Sequence, residues 1–148
     1  MNEQLILHAD DDENDVIFLN YVFKDAHIKN PLRSVADGRE VVDYLSDQGE
    51  FADRAQYPLP GLVLLDLKMP RLNGLETLQW IRSQPEFRLL VVIMFTASAH
   101  QNDINEAYRR GANSFIIKPA GTDKLTELMK ALHTYWFECN RFARLTPP

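Results

Sequence analysis

Short apolar runs alternate along this chain with longer segments in which apolar residues recur every three or four positions, the pattern of βα units around a parallel sheet. The runs Gln4 to Ala9, Leu32 to Ala36, Leu62 to Asp66, Leu90 to Phe95 and Ser114 to Ile117 read as strands. The first, third and fourth are nearly all apolar, as strands covered on both faces must be. The intervening segments read as helices: Asn14 to Ala26, Arg39 to Ser46, Gly74 to Ser83, Asn102 to Arg110 and Asp123 to about Phe142. In the first of these, Val16, Leu19, Tyr21, Val22 and Phe23 supply the buried stripe. Asp37 with Glu40 has the spacing of a capping box, and Gly111 follows Arg109 and Arg110 as a helix-ending glycine does. Gln48 to Gly61, broken by Gly49, Pro58, Pro60 and Gly61, is predicted to be an extended surface loop.

This order predicts an α/β fold with a doubly wound five-stranded parallel sheet. Ligands of such sheets bind beyond the carboxyl ends of the strands, so the residue ending each strand is the one to inspect. The first strand runs into Asp10 and Asp11, the third into Asp66, the fourth into Thr96 and the fifth into Lys118 and Pro119. Three carboxylates, a hydroxyl and an ammonium therefore meet at one edge. Clustered carboxylates repel, and at neutral pH a bound cation relieves them. An all-oxygen site with room for water suits Mg²⁺. With Lys118 opposite, the edge becomes a receptor for a phosphoryl group, and Asp66, ending the central run LVLLD, is the carboxylate best placed to act as nucleophile. His8, inside the first strand, reads as a core or sheet-face residue, while Asp12, Glu13 and Asp15 read as the acidic start of the first helix, with Asp12 placed to cap it.

These residues resemble the receiver domains of two-component response regulators. The features stand in order from Leu5 to about Leu132: the acidic pair Asp10-Asp11, LLDLKMPRLNG around Asp66, FTA at Thr96, Gly111-Ala112, and Lys118-Pro119. The resemblance implies a flavodoxin-like (βα)5 fold with strand order 2-1-3-4-5. It also implies that Asp66 accepts phosphate from a phosphohistidine of a sensor histidine kinase or phosphotransfer protein. Asp11, Asp66 and the backbone carbonyl of Lys68 would ligate Mg²⁺, with Asp10 acting mainly through water. Thr96 and Lys118 would bind phosphoryl oxygens, Lys118-Pro119 would be a cis peptide, and Thr96 with Phe115 would form the switch. Lys68 and Ser98 stand at the two positions that in the family tune how water reaches the acyl phosphate. His8-Ala9 ahead of the acidic pair departs from the family's usual Val-rich strand.

At 148 residues the expectation is one receiver domain over residues 1–148, its core about 4–133 and a C-terminal helical extension about 134–148. Composition, at 45% hydrophobic and 25% charged, is that of a folding globular chain, and the net charge of −5 argues against nucleic acid as a partner. No apolar run is long enough for a membrane span and the N-terminus lacks a signal-peptide pattern, so the expected location is the cytoplasm. The lone Cys139 reads as a packing residue. Only the tail LTPP follows the last helix, so the expectation is a stand-alone regulator, not an enzyme beyond its own phosphotransfer and autodephosphorylation, that signals through its surface. The loop before Gly61 and the segment after it resemble small single-domain regulators paired with bacterial phytochrome-type kinases. Such regulators often pair through the last strand and helix, which points to Phe115, Tyr135, Trp136 and Phe137 as dimer contacts; Arg109, Arg110 and Lys130 are further candidates. The other possibility is that the aromatics of HTYWFECNRFARL, including Phe142, fold back within one monomer.

Two other classes compete. A haloacid-dehalogenase-like phosphohydrolase would use Asp10 as nucleophile, Asp12 as acid/base, Thr96 and Lys118, but LLDLKMPRLNG would then have no role. A phosphorylation-independent interaction module would not need the full set of acceptor, acidic pair, Thr96 and Lys118.

Overall fold

The computed structural model describes residues 3–145. Five strands, β1 (Ile6–Ala9), β2 (Leu32–Val35), β3 (Leu62–Leu65), β4 (Val91–Thr96) and β5 (Ser114–Ile117), form one parallel sheet in the order β2-β1-β3-β4-β5. Five helices connect or follow them: α1 (Glu13–Asp25), α2 (Gly38–Leu45), α3 (Gly74–Ser83), α4 (Gln101–Arg109) and α5 (Thr122–His133). The flavodoxin-like order expected from the resemblance is thus the observed one, and element ends shift by only a residue or two except in α5.

β1, β3 and β4 are buried along their whole length, so side chains of alternate parity feed two cores. On one face Leu5, Leu7, Val63, Leu65, Val92 and Met94 meet Tyr44 of α2 and Leu78 and Ile81 of α3. On the other, Ile6, Leu62, Leu64, Ile93 and Phe95 meet Leu19, Val22 and Phe23 of α1 and Leu125, Met129 and Leu132 of α5. Each fully buried Leu or Ile contributes about 1.5–3 kcal/mol of transfer free energy, which is what holds the helices flat against the strands.

Local chemistry fixes the helix starts. The Asp12 carboxylate accepts from Asn14 N at 2.9 Å, and Asn73 with Glu76 forms a reciprocal capping box. Asp37 accepts from Glu40 N, as the sequence spacing predicts, but the Glu40 carboxylate reaches past Asp37 to accept from Ala36 N, so the capping box is only half formed. Gly111 takes φ of 101°, a left-handed turn that ends α4.

Five expectations are corrected. Cys139 does not pack: it ends the C-terminal turn with its side chain exposed. Tyr21 does not belong to the buried stripe of α1: it lies with Ile17 and Phe18 on an exposed apolar face. The 48–61 segment is not simply an extended surface loop, because Gly49–Phe51 makes a 3₁₀ turn that buries Phe51 against the rings of Tyr44 and Tyr57. The last α-helix does not run to Phe142. It stops at His133 and continues as a widened π-helical turn, Thr134–Cys139. That extra width turns Phe137 inward and lets Phe142 pack on it and on Trp136, at 5.5 and 6.1 Å between ring centroids, so most of the aromatic area folds back within the monomer. Tyr135 alone of these rings is exposed, at 56%. Residues 146–148 of the expected extension, and residues 1–2, lie outside the described residues.

Finally, no described peptide bond is cis, so Lys118-Pro119 is trans. The trans form is the default for an X-Pro bond by about 0.5–1 kcal/mol, and the Lys118 side chain reaches the acidic cluster from it without help.

Candidate functional site

The strand ends bring the predicted residues to one edge. β1 and β3 are neighbours in register, so Asp10 and Asp66 leave the sheet side by side, and Asp66 N donates to Ala9 O at 3.1 Å to tie the two ends together. One carboxylate oxygen from each of Asp10, Asp11 and Asp66 lies within 4.8 Å of the others, a donor set able to hold a hard cation. Asp10 and Asp66 are buried and Asp11 is exposed, so a cation could enter from the solvent side.

Lys118 closes the cluster from β5. Its Nζ donates to Asp10 Oδ2 at 2.6 Å, to Asp15 Oδ2 at 2.7 Å and to Asp66 Oδ2 at 3.0 Å. Its backbone N–H donates to Thr96 O at 2.7 Å, so the lysine and the threonine are fixed to one another by the β4-β5 ladder. Asp15 is the residue that sequence reasoning assigned elsewhere, to the acidic start of α1. Three positions after the helix cap Asp12, it faces the cleft instead of solvent, and the first-turn spacing alone carried no sign of that. Asp12 itself is spent on capping, as expected, which leaves the dehalogenase-like reading without its acid/base.

Burial pushes the Asp10 carboxyl up, but His8, Lys118 and the Asp12 N–H outweigh it and hold the group near a pKa of about 2. Burial also pushes Asp66 up, and there it prevails: Lys118 and Thr96 pull the other way without restoring the ordinary value. Burial acts to lower Lys118, yet Asp10, Asp15 and Asp66 hold it well above the usual lysine range. The site therefore holds an ammonium that stays charged, an anchored carboxylate in Asp10, and in Asp66 a carboxylate whose negative charge is only partly compensated.

Both carboxylate oxygens of Asp66 are held in place. Leu67 N donates to its Oδ1 at 2.7 Å while Oδ2 faces Lys118. The loop beyond it turns back so that Gly74 N donates to Leu67 O, and a Cβ on Gly74 would lie 2.1 Å from Asp66 O, so only glycine allows that approach. Arg71 braces the same loop, donating from Nε at 2.8 Å to the buried Asp37 of the neighbouring loop.

An open cleft of about 600 Å³ lies over Asp11, Asp15, Asp66 and Lys118 and is also lined by Lys68, Thr96, Ser98 and His100. Lys68 and Ser98 thus share the cleft with Asp66. Ser98 Oγ donates to Asp103 Oδ2 at 2.6 Å, which turns its hydroxyl toward α4. Thr96 is buried, and Ser98 N donates to its Oγ1. Phe115 is not at the cleft. It sits half-buried on β5, opposite Met94, packed against the core on the α3 side, and its N–H donates to the Tyr108 hydroxyl at 3.2 Å.

A five-stranded α/β sheet with an acidic triad and a lysine at its carboxyl edge is the architecture of a phosphoacceptor module. Residues 6–130 match the family model of the response regulator receiver domain, and the chain belongs to that family. Among solved structures it resembles response regulator RPA3017 in red light signaling of R. palustris, with TM-score 0.90 and 36% identity over 95% of this chain and 98% of that one. The phosphorylated cyanobacterial phytochrome response regulator RcpA superposes with TM-score 0.86 and 27% identity, covering 94% and 97% of the two chains. Response regulator Rcp1 of Synechocystis sp. is 27% identical over 91% of this chain and 90% of its own length, and its Mn²⁺-bound form has been crystallised. Among the described residues no helix is long and apolar enough to cross a membrane.

Proposed function

We propose that this chain acts as a single receiver unit that takes a phosphoryl group onto Asp66 from the phosphohistidine of a phytochrome-type sensor kinase or its phosphotransfer partner. Mg²⁺ is the cation whose preference for carboxylate, carbonyl and water oxygens fits Asp10, Asp11, Asp66 and the Lys68 carbonyl. When bound, it neutralises charge on the transferring phosphoryl group. The observation that carries the reading is the position of Asp66: one oxygen on Leu67 N, the other on Lys118, within reach of two further carboxylates.

The protein groups then have separate tasks. Asp66 attacks phosphorus in line, the bond to the donor imidazole breaks, and the departing nitrogen recovers its proton from solvent. Lys118 leaves the carboxylates for a phosphoryl oxygen, and Thr96 turns its hydroxyl to another. Phe115 follows Thr96 by a change in packing, having no hydroxyl of its own to report with. Lys68 and Ser98 set the access of water to the acyl phosphate. The chain turns over no other substrate, does its work in the cytoplasm, and passes the signal by protein contacts, not nucleic acid. Tyr135, the exposed ring of the C-terminal turn, is the group we assign to a homodimer contact, with Phe115 of β5 as a second candidate.

The test is the reaction of the protein with acetyl phosphate and Mg²⁺, followed by mapping of the label. A phosphoryl group on Asp66 that is lost in Asp66→Asn is expected. Label on Asp10, or no label at all, overturns the reading.

A further inference from the structure

His8 is 1% exposed, in the middle of a strand whose other residues are all apolar. A polar ring there is costly unless both nitrogens are satisfied. Its register partner on β2 is Ser34, and Nδ1 lies 3.1 Å from Ser34 Oγ across the strand pair. Nε2 has no hydrogen-bond partner and points at Asp10 Oδ2, 3.6 Å away. The arrangement that suits both nitrogens has the Ser34 hydroxyl donating to Nδ1, which puts the ring proton on Nε2, facing the carboxylate. The opposite tautomer would aim a lone pair at an anion.

At 3.6 Å the contact is too long for a hydrogen bond. The reason lies on the other side of the same oxygen: Lys118 Nζ holds Asp10 Oδ2 at 2.6 Å. A divalent cation held by the cluster would repel the Lys118 ammonium from Asp10, and a phosphoryl oxygen would then take it; in either state Asp10 Oδ2 loses its partner in a place where the side chain has no solvent to turn to. Asp10 Oδ1 stays fixed by Asp12 N at 3.0 Å, so the carboxylate can pivot only slightly, and the closest free donor is His8 Nε2. Phe95 packs beside the imidazole at 6.4 Å and keeps water from competing.

We propose that His8 is a positioning residue for Asp10: its Nε2–H closes on Asp10 Oδ2 as Lys118 leaves, so that the acidic pair keeps its geometry in the metal-loaded and phosphorylated states. This rests on the assignment of Lys118 to the phosphoryl group. Groups that orient a metal-ligating carboxylate are worth about tenfold or more in metal affinity, which sets the size of the effect.

The full chain, His8→Leu and His8→Gln are titrated with Mn²⁺ as the probe ion, and urea unfolding is followed alongside. Leucine fills the site without a donor; glutamine keeps an N–H close to the Nε2 position. Binding about tenfold weaker in His8→Leu, largely recovered in His8→Gln, is expected, with the unfolding midpoint of His8→Leu no lower than the parent's. Equal Mn²⁺ affinity in all three, or equal weakening in both variants, overturns the proposal. NMR of the imidazole in the parent chain needs no variant to fold. The proton is expected on Nε2, and it should move downfield and exchange more slowly in the Mg²⁺ beryllofluoride adduct; a proton on Nδ1 in both states overturns the proposal. A parent chain that forms no adduct refutes the phosphoacceptor reading instead, and the Mn²⁺ comparison still decides the role of His8.

Discussion

Replacing Lys118 with methionine keeps most of the aliphatic stem and removes the ammonium that bridges Asp10, Asp15 and Asp66 and lies 5.7 Å from the Phe95 ring centroid. At an effective dielectric near 20, a contact of roughly 3 Å is worth about 5 kcal/mol before desolvation, which takes back most of it. Asp15 is a third exposed, so its share is that of a surface pair, below about 1 kcal/mol. Asp10 is sealed from solvent and Asp66 nearly so, and stripping the partner from a buried charge costs about 3–5 kcal/mol. Asp10 retains the Asp12 N–H and can draw in His8, which places the expected loss at the lower end, about 3 kcal/mol at pH 7 in chelator, or roughly 6–12 °C in Tm. The variant site is more negative and binds a divalent cation more tightly, so saturating Mg²⁺ should recover most of the loss by mass action. Urea unfolding of parent and variant, with EDTA and with Mg²⁺, measures both numbers. A variant within about 0.5 kcal/mol of the parent in EDTA, the range of an ordinary surface change, refutes the weight given to the lysine; a loss that Mg²⁺ leaves untouched refutes the metal cluster.

Further outcomes follow from the same groups. Asp10 is held below its unfolded value of 3.8, at about 2, so it stabilises the fold above pH 4 by about 2 kcal/mol, and that contribution is lost as pH falls from 4 toward 2; acid titration in EDTA should show the loss in the parent and not in Asp10→Asn. Asp66 is shifted the other way by burial, so its charge opposes folding at neutral pH: Asp66→Asn should raise the urea midpoint at pH 7 in EDTA, with the gain vanishing in acid, while abolishing the beryllofluoride adduct. Gly74→Ala forces a methyl into the Asp66 carbonyl, and a loss of about 1–3 kcal/mol with slowed phosphorylation by acetyl phosphate is expected from unfolding and labelling measurements. Tyr135→Ser leaves the core alone, so its stability should match the parent, and light scattering of the beryllofluoride adduct should show a smaller mass than the parent adduct if the exposed ring is a dimer contact.

What could be read from residues alone follows the range of the forces involved. Strand and helix positions, the capping residues Asp12 and Asp37, and the convergence of Asp10, Asp66, Thr96 and Lys118 all follow from periodicity, short-range capping chemistry and one topological rule, since a parallel sheet gathers its strand ends whatever the side chains do. The end of α5 was less legible, because the pattern of Trp136, Phe137 and Phe142 suits an α-helix as well as a widened turn, and packing against the sheet decides between them. Asp15 and His8 were illegible for a different reason: each already has a sufficient local explanation, an acidic first turn and a residue on a sheet face. A local rule that is satisfied gives no signal that a tertiary contact also acts there. The converse holds at Asp10, Asp11 and Asp66, where like charges gathered at one edge violate local consistency and so announced themselves. His8 joins the two cases, since its register with Ser34 is ordinary sheet chemistry, and only the orphaned nitrogen beside Asp10 distinguishes a ring that packs from one placed to hold the acidic pair.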